Sequence, residues 1–271
     1  MPIGRSARIH PSAVIASEAE LSDDVVIGPY VVIEGRVRIG PGCVIRPHAH
    51  LVGPLVMGRD NTVFTGVVLG EQPQHLKYNG EPTSLEIGDG NIFREYVTVH
   101  RGTVQAMATR IGSNNFFMAN SHVAHDCQIG NRCILANGAL LAGHCTLEDS
   151  VFLSGNSAVH QFMRVGRLAF LGGNSTTTKD MPPFMIQQGF NVVSGVNVVG
   201  MRRSGMTGVQ IDAVRRAFHI IFREGSLLSH SLSQVEQELG NSDVAAELVT
   251  FIRQSTRGIN LMREHRRNAA A

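Results

Sequence analysis

Apolar residues recur along this chain with a period of six. From Ile9 the series runs through Ile15, Leu21, Ile27, Ile33, Ile39, Ile45, Leu51, Met57, Val63 and Leu69. The same phase resumes at Ile87, Phe93 and Val99 and continues from Ile111 to Leu171. Of the 28 positions so defined between 9 and 171, 25 are apolar; His75, Glu81 and Gln105 break the pattern. Six is neither the period of a half-buried strand nor that of an amphipathic helix. It predicts a parallel β-helix, in which the chain turns a corner every six residues. Each coil then has three flat sides and takes about 18 residues, and coils stack about 4.8 Å apart. The residue two before each anchor is expected to face inward and be small, as at Ala13, Ala19, Val25, Val31, Val37, Cys43 and Ala49. Glycine often follows the anchor, as at Gly28, Gly40, Gly58, Gly70, Gly88, Gly112, Gly130, Gly166 and Gly172, and reads as easing the bend.

The exceptions mark two stretches, 71–85 and 101–110, as loops ejected from the coil without loss of register. The phase fails after Leu171, where Thr177 takes an anchor position, and Pro182-Pro183 redirects the chain. The pattern therefore divides the chain into a prism over 1–182 and an extension over 183–271. The extension is helical from about 207. Ile211, Val214, Phe218, Ile221 and Phe222 form an apolar stripe ending near Gly225, and further helices are predicted over 232–239 and 244–262, before a frayed tail at 264–271. The extension is expected to cover the open end of the coil.

Composition narrows the function classes. The net charge of +2 argues against a general nucleic-acid binder. From 200 to 271 there are ten Arg against seven Asp and Glu, which suggests an acidic partner near the C-terminus. The first 17 residues hold no uninterrupted apolar stretch and no run of about 18 apolar residues occurs, so a soluble cytoplasmic protein without a transmembrane segment is expected. The four cysteines, Cys43, Cys127, Cys133 and Cys145, each precede an anchor by two. They read as small reduced core residues, with no disulfide or thiolate site.

Candidate chemistry gathers between 100 and 160, where five of the 12 histidines fall: His100, His122, His125, His144 and His160. Steps of 18 from position 125 reach Gly143, beside His144, and then Gln161, beside His160. One corner of three successive coils should thus carry an imidazole-lined groove. Imidazole suits general-base work, and Asp126 stands next to His125 to hold its ring. A zinc site on His122, His125 and His144 and a purely structural prism are the competing readings of the same residues.

The strings LKYNGEPT (76–83), VHRGTVQ (99–105), HVAHDCQIGNRCILAN (122–137), LAGH (141–144), VHQF (159–162) and GVNVVGMRRSGM (195–206) add a resemblance. They are similar to those of the UDP-N-acetylglucosamine acyltransferases, the family that opens lipid A biosynthesis in Gram-negative bacteria. The resemblance implies a left-handed helix and a homotrimer with active sites between neighbouring prisms. It implies UDP-N-acetylglucosamine as acceptor, with an (R)-3-hydroxyacyl donor on the phosphopantetheine of acyl carrier protein, and no other cofactor or metal. It makes His125 the general base, Asp126 its support, and the Gly143 N–H an oxyanion donor. Lys77, His122, His144, His160 and Gln161 would contact substrate. Asn197 and Arg203 would lie near the nucleotide or phosphates, and Gly173 would set acyl-chain length, with room for a longer chain. The chain departs from the family's common residues at His75 (Asp), Val199 (Glu), Phe190-Asn191 (Asn-His) and Ser204 (Arg). Acylation of a 3-amino sugar nucleotide, and a non-catalytic homologue that binds nucleotide sugar or carrier, are the alternatives these departures raise.

Overall fold

The computed structural model describes residues 3–104 and 106–262. They form a left-handed parallel β-helix followed by four helices. Strands of two to four residues succeed one another on three sheets in rotation as far as Thr176–Thr177; the last two, Met185–Gln187 and Val193–Val196, both join the first sheet, the final one antiparallel. The first sheet has 11 strands, from Arg8–Ile9 to Val193–Val196. The second has nine, from Val14–Ile15 to Thr176–Thr177. The third has eight, from Glu20–Leu21 to Arg164–Val165. The edges of the prism are named here in chain order: the first edge joins the first and second sheets, the second edge joins the second and third, and the third edge joins the third and first. The six-residue anchors fill the interior, with Ile27, Ile33, Ile39, Leu51, Leu69, Phe93, Val99, Phe117 and Leu153 at 2% exposure or less. Removing this apolar area from water is the main stabilising term. All four cysteines are buried and free.

Both ejected loops leave from the second edge. One lies between Val68–Glu71 and Ser84–Ile87, the other between Thr98–His100 and Ala108–Ile111. Leu69 pairs with Val99, 30 residues on, and Val99 with Val123, 24 on, whereas undisturbed neighbours such as Val123 and Leu141 are 18 apart. The insertions are multiples of six, which is why the sequence phase survives them. Gln105, in the second loop, lies outside the described residues, as does the tail at 264–271.

The glycines after the anchors act differently from the expectation. The left-handed backbone that turns each corner falls two residues later, at Tyr30, Asp60, Asn114, Arg132 and Leu168 (φ 55–60°), while of the nine glycines only Gly70 has positive φ. What most of these glycines provide is room for the next coil. A Cβ on Gly40 would lie 2.6 Å from the Gly58 carbonyl, and one on Gly112 2.5 Å from the Gly130 oxygen. Gly112→Ala is therefore expected to destabilise the fold by about 2 kcal/mol through overpacking, read as a lower midpoint in chemical denaturation.

The coil also runs further than the apolar phase suggests. Thr177 is fully buried in a strand paired with Ala158–Val159, and Met185–Gln187 still pairs with Phe170–Leu171. Polar anchors replace apolar ones there because a returning segment inserts between them. Asn260, fully buried, donates from Nδ2 to Thr177 Oγ1 (2.9 Å) and Gln187 Oε1 (2.6 Å). The helix expected over 244–262 accordingly stops early. The helices are α1 (Val198–Arg203), α2 (Gly208–Phe222), α3 (Leu228–Leu239) and α4 (Asp243–Arg253). Beyond α4 the chain turns at Gly258 (φ 72°), and Ile259 and Leu261 bridge to Asp180 and Val192. α3 begins at Leu228 rather than 232, and the short α1 had no signal in the apolar pattern. Among the described residues no helix is long and apolar enough to cross a membrane.

Candidate active site

The stacking of coils sets the register on the second edge. The His144 N–H donates to the His125 carbonyl (3.0 Å), and the Phe162 N–H to the Gly143 carbonyl (3.0 Å). His125, Gly143 and Gln161 therefore form one column, and Asp126, His144 and Phe162 the next. The second column holds left-handed corner positions, with φ between 61° and 68°. The residues of three coils share one corner, as the spacing predicts, but their ring stack differs in detail. His125 meets His144 edge to face (5.2 Å between ring centroids), and His144 stacks flat on Phe162 (4.5 Å). His160 and Gln161 are exposed beside this stack, and the His160 Nδ1 lies 3.3 Å from the Gln161 carbonyl. Phe162 caps the stack, and the Arg257 guanidinium lies 4.8 Å from its centroid. Phe162 was legible as 144 plus one coil; Arg257, from the turn after α4, was not.

His125 and Asp126 are joined by a short bond, Nδ1 to Oδ2 at 2.7 Å, and both are buried. With Nδ1 as donor, the network assigns Nε2 as the free basic nitrogen. The ring lies over Gly143, where a Cβ would sit 2.8 Å from Cε1 and 2.9 Å from Nε2, so a larger residue would displace it. Among the described residues nothing accepts the Gly143 N–H. Burial alone would raise the Asp126 carboxyl. Hydrogen bonds from His125, from the Thr103 hydroxyl and from the Thr103 N–H, with the nearby His144, more than offset it and hold the group below its ordinary range. His144 Nε2 is 3.4 Å from Asp126 Oδ2. Burial, joined by neighbouring imidazoles, lowers His144 and His122; at His144 the Asp126 charge offsets part of the effect. Donor atoms of His125, Asp126 and His144 lie within 4.8 Å of one another. The Nδ1 of His125 and both carboxylate oxygens are committed to hydrogen bonds. His122, the third member of the zinc reading, instead bonds Thr98 Oγ1 through Nδ1 (2.7 Å) and meets His100 edge to face.

The ejected loops complete this edge. His75 is held edge to face with His125 at 5.3 Å, and Lys77 is exposed two residues on. Buried Arg101 ties the loops together, donating to the carbonyls of Gly53 and Gly70 and to the Tyr78 hydroxyl (3.2 Å each). The remaining predicted residues stand elsewhere on the prism. Gly173 is exposed on the first edge, two coils above Asn137 and one above Gly155. Asn197 is at the third edge, where its Nδ2 donates to the Leu168 carbonyl and its Oδ1 accepts from Gly200 N–H, capping α1. Arg203 is exposed in the last turn of α1. In a single prism, then, the spacing brings together His125, Asp126, Gly143, His144, His160 and Gln161, with His122 on the adjoining strand, while Lys77 is exposed on the first ejected loop of the same edge. Gly173, Asn197 and Arg203 are on other edges.

Comparisons with known proteins agree in family and fold. Residues 180–260 match the family described as Udp N-acetylglucosamine O-acyltransferase, domain 2, and 18–53 and 108–143 match the bacterial transferase hexapeptide repeat. An acyl-[acyl-carrier-protein]–UDP-N-acetylglucosamine O-acyltransferase of Halorhodospira halophila is 45% identical over 93% of this chain and 98% of its own length. Among solved structures, the UDP-N-acetylglucosamine acyltransferase of Campylobacter jejuni superposes with a TM-score of 0.89 at 35% identity, over 94% of this chain and 100% of that one. The Francisella novicida enzyme gives 0.85 at 32%, over 99% and 98%.

Proposed function

Since the chain belongs to the UDP-N-acetylglucosamine O-acyltransferase family, we propose that it moves an (R)-3-hydroxyacyl group from acyl carrier protein to the 3-hydroxyl of UDP-N-acetylglucosamine, the first step of lipid A biosynthesis. The observation that carries this reading is the buried His125–Asp126 pair, whose free Nε2 lies over Gly143 on the edge from which both loops project. Neutral His125 takes the proton of the 3-hydroxyl through Nε2 while Asp126 stabilises the imidazolium that forms. The sugar oxygen bonds to the thioester carbon. The Gly143 N–H donates to the oxyanion, a contribution of a few kcal/mol in related sites. Collapse breaks the C–S bond, and the departing thiolate of the phosphopantetheine recovers the proton from His125. No further cofactor is required by this sequence of steps. Lys77, His122, His144, His160 and Gln161 line the acceptor and acyl pocket. Arg203, in the last turn of α1, meets phosphate oxygens, and Asn197 caps the N-terminus of the same helix. Gly173 leaves space for a longer acyl chain over a short one.

The separation of these residues over three edges supports a homotrimer in which neighbouring prisms share each site. The outward faces of the sheets agree. The third sheet carries ion pairs such as Glu20–Arg38 and Glu86–Arg110, suited to water. The first sheet turns out Val26, Val44, Ile92, Phe116, Ile134, Phe152 and Phe170, an apolar column whose natural cover is another copy. Phe152→Glu is expected to dissociate the assembly, measured as mass by light scattering; an unchanged mass would count against this interface. Arg215, Arg216 and Arg253 pair with Asp212, Glu238 and Glu236, so the basic surface facing an acidic carrier centres on Arg202 and Arg203. A cytoplasmic location suits both substrates.

The deciding experiment incubates the purified chain with UDP-N-acetylglucosamine and hydroxyacyl carrier proteins of several chain lengths and follows product by mass spectrometry. Absence of the acylated nucleotide with every donor would defeat the reading.

A further inference from the structure

The proton relay on the second edge does not end at Asp126. Thr103, in the second ejected loop, donates twice to that carboxylate. Its N–H reaches Oδ1 at 2.7 Å and its hydroxyl reaches Oδ2 at 2.7 Å, the same oxygen that accepts from His125. Thr109, from the strand that follows the loop, accepts from the Asp126 N–H through its Oγ1 at 2.8 Å. Thr103 is buried, and two residues away Arg101 anchors the loop to the carbonyls of Gly53 and Gly70. A β-branched side chain with restricted χ1, on a loop pinned at its base, holds both Asp126 oxygens in hydrogen bonds.

We infer that Thr103 is the positioning residue of the His125–Asp126 pair, fixing the carboxylate plane and dividing its charge between a hydroxyl and the imidazole. The inference rests on the acyl-transfer reading above. The hydroxyl and the imidazole compete for Oδ2. With the hydroxyl gone, more of the carboxylate's charge is available to His125, so the imidazolium is favoured and the base titrates at higher pH. The other titratable groups facing the pair are His75 from the first loop, His122 from the preceding strand of the same coil, His100 from the coil before and His144 from the coil after.

The test uses full-length Thr103→Val, Thr103→Ala and Thr103→Ser, with wild type alongside. Two readouts are taken: the pH dependence of kcat/KM, and the His125 imidazole titration by NMR, which needs no turnover. For Val and Ala the acid limb and the titration should both move up by about half a unit, with kcat down about 10-fold and KM within about twofold. Ser, which keeps the hydroxyl, should restore both. The inference is overturned if His125 titrates in Val or Ala as in the wild type, or if Ser fails to restore the profile. Should Val not fold, Ala and Ser decide by the same criteria. A wild type without turnover would instead remove the acyl-transfer reading, and the NMR titration would still judge Thr103.

Discussion

His125→Ala is expected to lower turnover by about 10²–10⁴-fold while leaving the fold intact. The side chain is an outward corner residue of the coil, and the anchors that hold the prism, Val123 and Ile129, are untouched. Its loss removes the imidazole that lies over Gly143, so the attacking hydroxyl loses the acceptor proposed for its proton. Asp126→Asn is the informative companion. An amide N–H in that position donates to Nδ1 and so leaves the ring proton on Nε2, the wrong tautomer, and turnover should fall although the imidazole remains. Circular dichroism and mass by light scattering establish that each variant is folded and assembled as the wild type is. A His125→Ala protein with wild-type turnover would end the base assignment, whatever the family.

The second large effect concerns acid stability. His100, 6% exposed, is pushed down to about 4 by burial, aided by the neighbouring imidazoles of His122 and His125 and opposed by Glu71. Among the described residues its buried Nδ1 has no hydrogen-bond partner, so protonation in the folded state gains no hydrogen bond there. A histidine whose folded value lies below its ordinary 6.5 binds a proton more readily when unfolded. Stability from this group is therefore complete above pH 6.5 and is lost as pH falls towards about 4, by about 3 kcal/mol in all. His122 and His144 are lowered too and add in the same direction. Asp126, held below its ordinary range, keeps its stabilising contribution throughout this window and loses it only at lower pH. Denaturant midpoints should thus drop between pH 7 and pH 4.5, and His100→Leu should flatten that slope without lowering stability at pH 7. An equal slope in the variant would show that His100 is not its source.

Tyr78 shows why such effects spread across the edge. Its hydroxyl accepts from Arg101 and donates to the Glu81 carbonyl, so the first loop is fastened to the base of the second. The loops that carry His75 and Thr103 to the relay are one bonded unit, although 28 residues of sequence separate these two positions.

The repeat by itself determined the prism, its three sides, the inward cysteines and the corner shared by His125, His144 and His160, because a six-residue period leaves the chain little other way to bury its anchors. Spacing likewise put Gly143 under the His125 ring. The tertiary structure decided what lay outside the period. Thr103 reaches Asp126 from an inserted loop, whose path no register argument follows. Thr177 and Gln187 are polar yet internal because Asn260 returns to bond them, 83 and 73 residues later in the chain. The same return ends α4 at Arg253 and brings Arg257 over Phe162. Local periodicity encodes burial, whereas hydrogen bonds between segments far apart in sequence exist only once the coils have stacked and given them a place to meet.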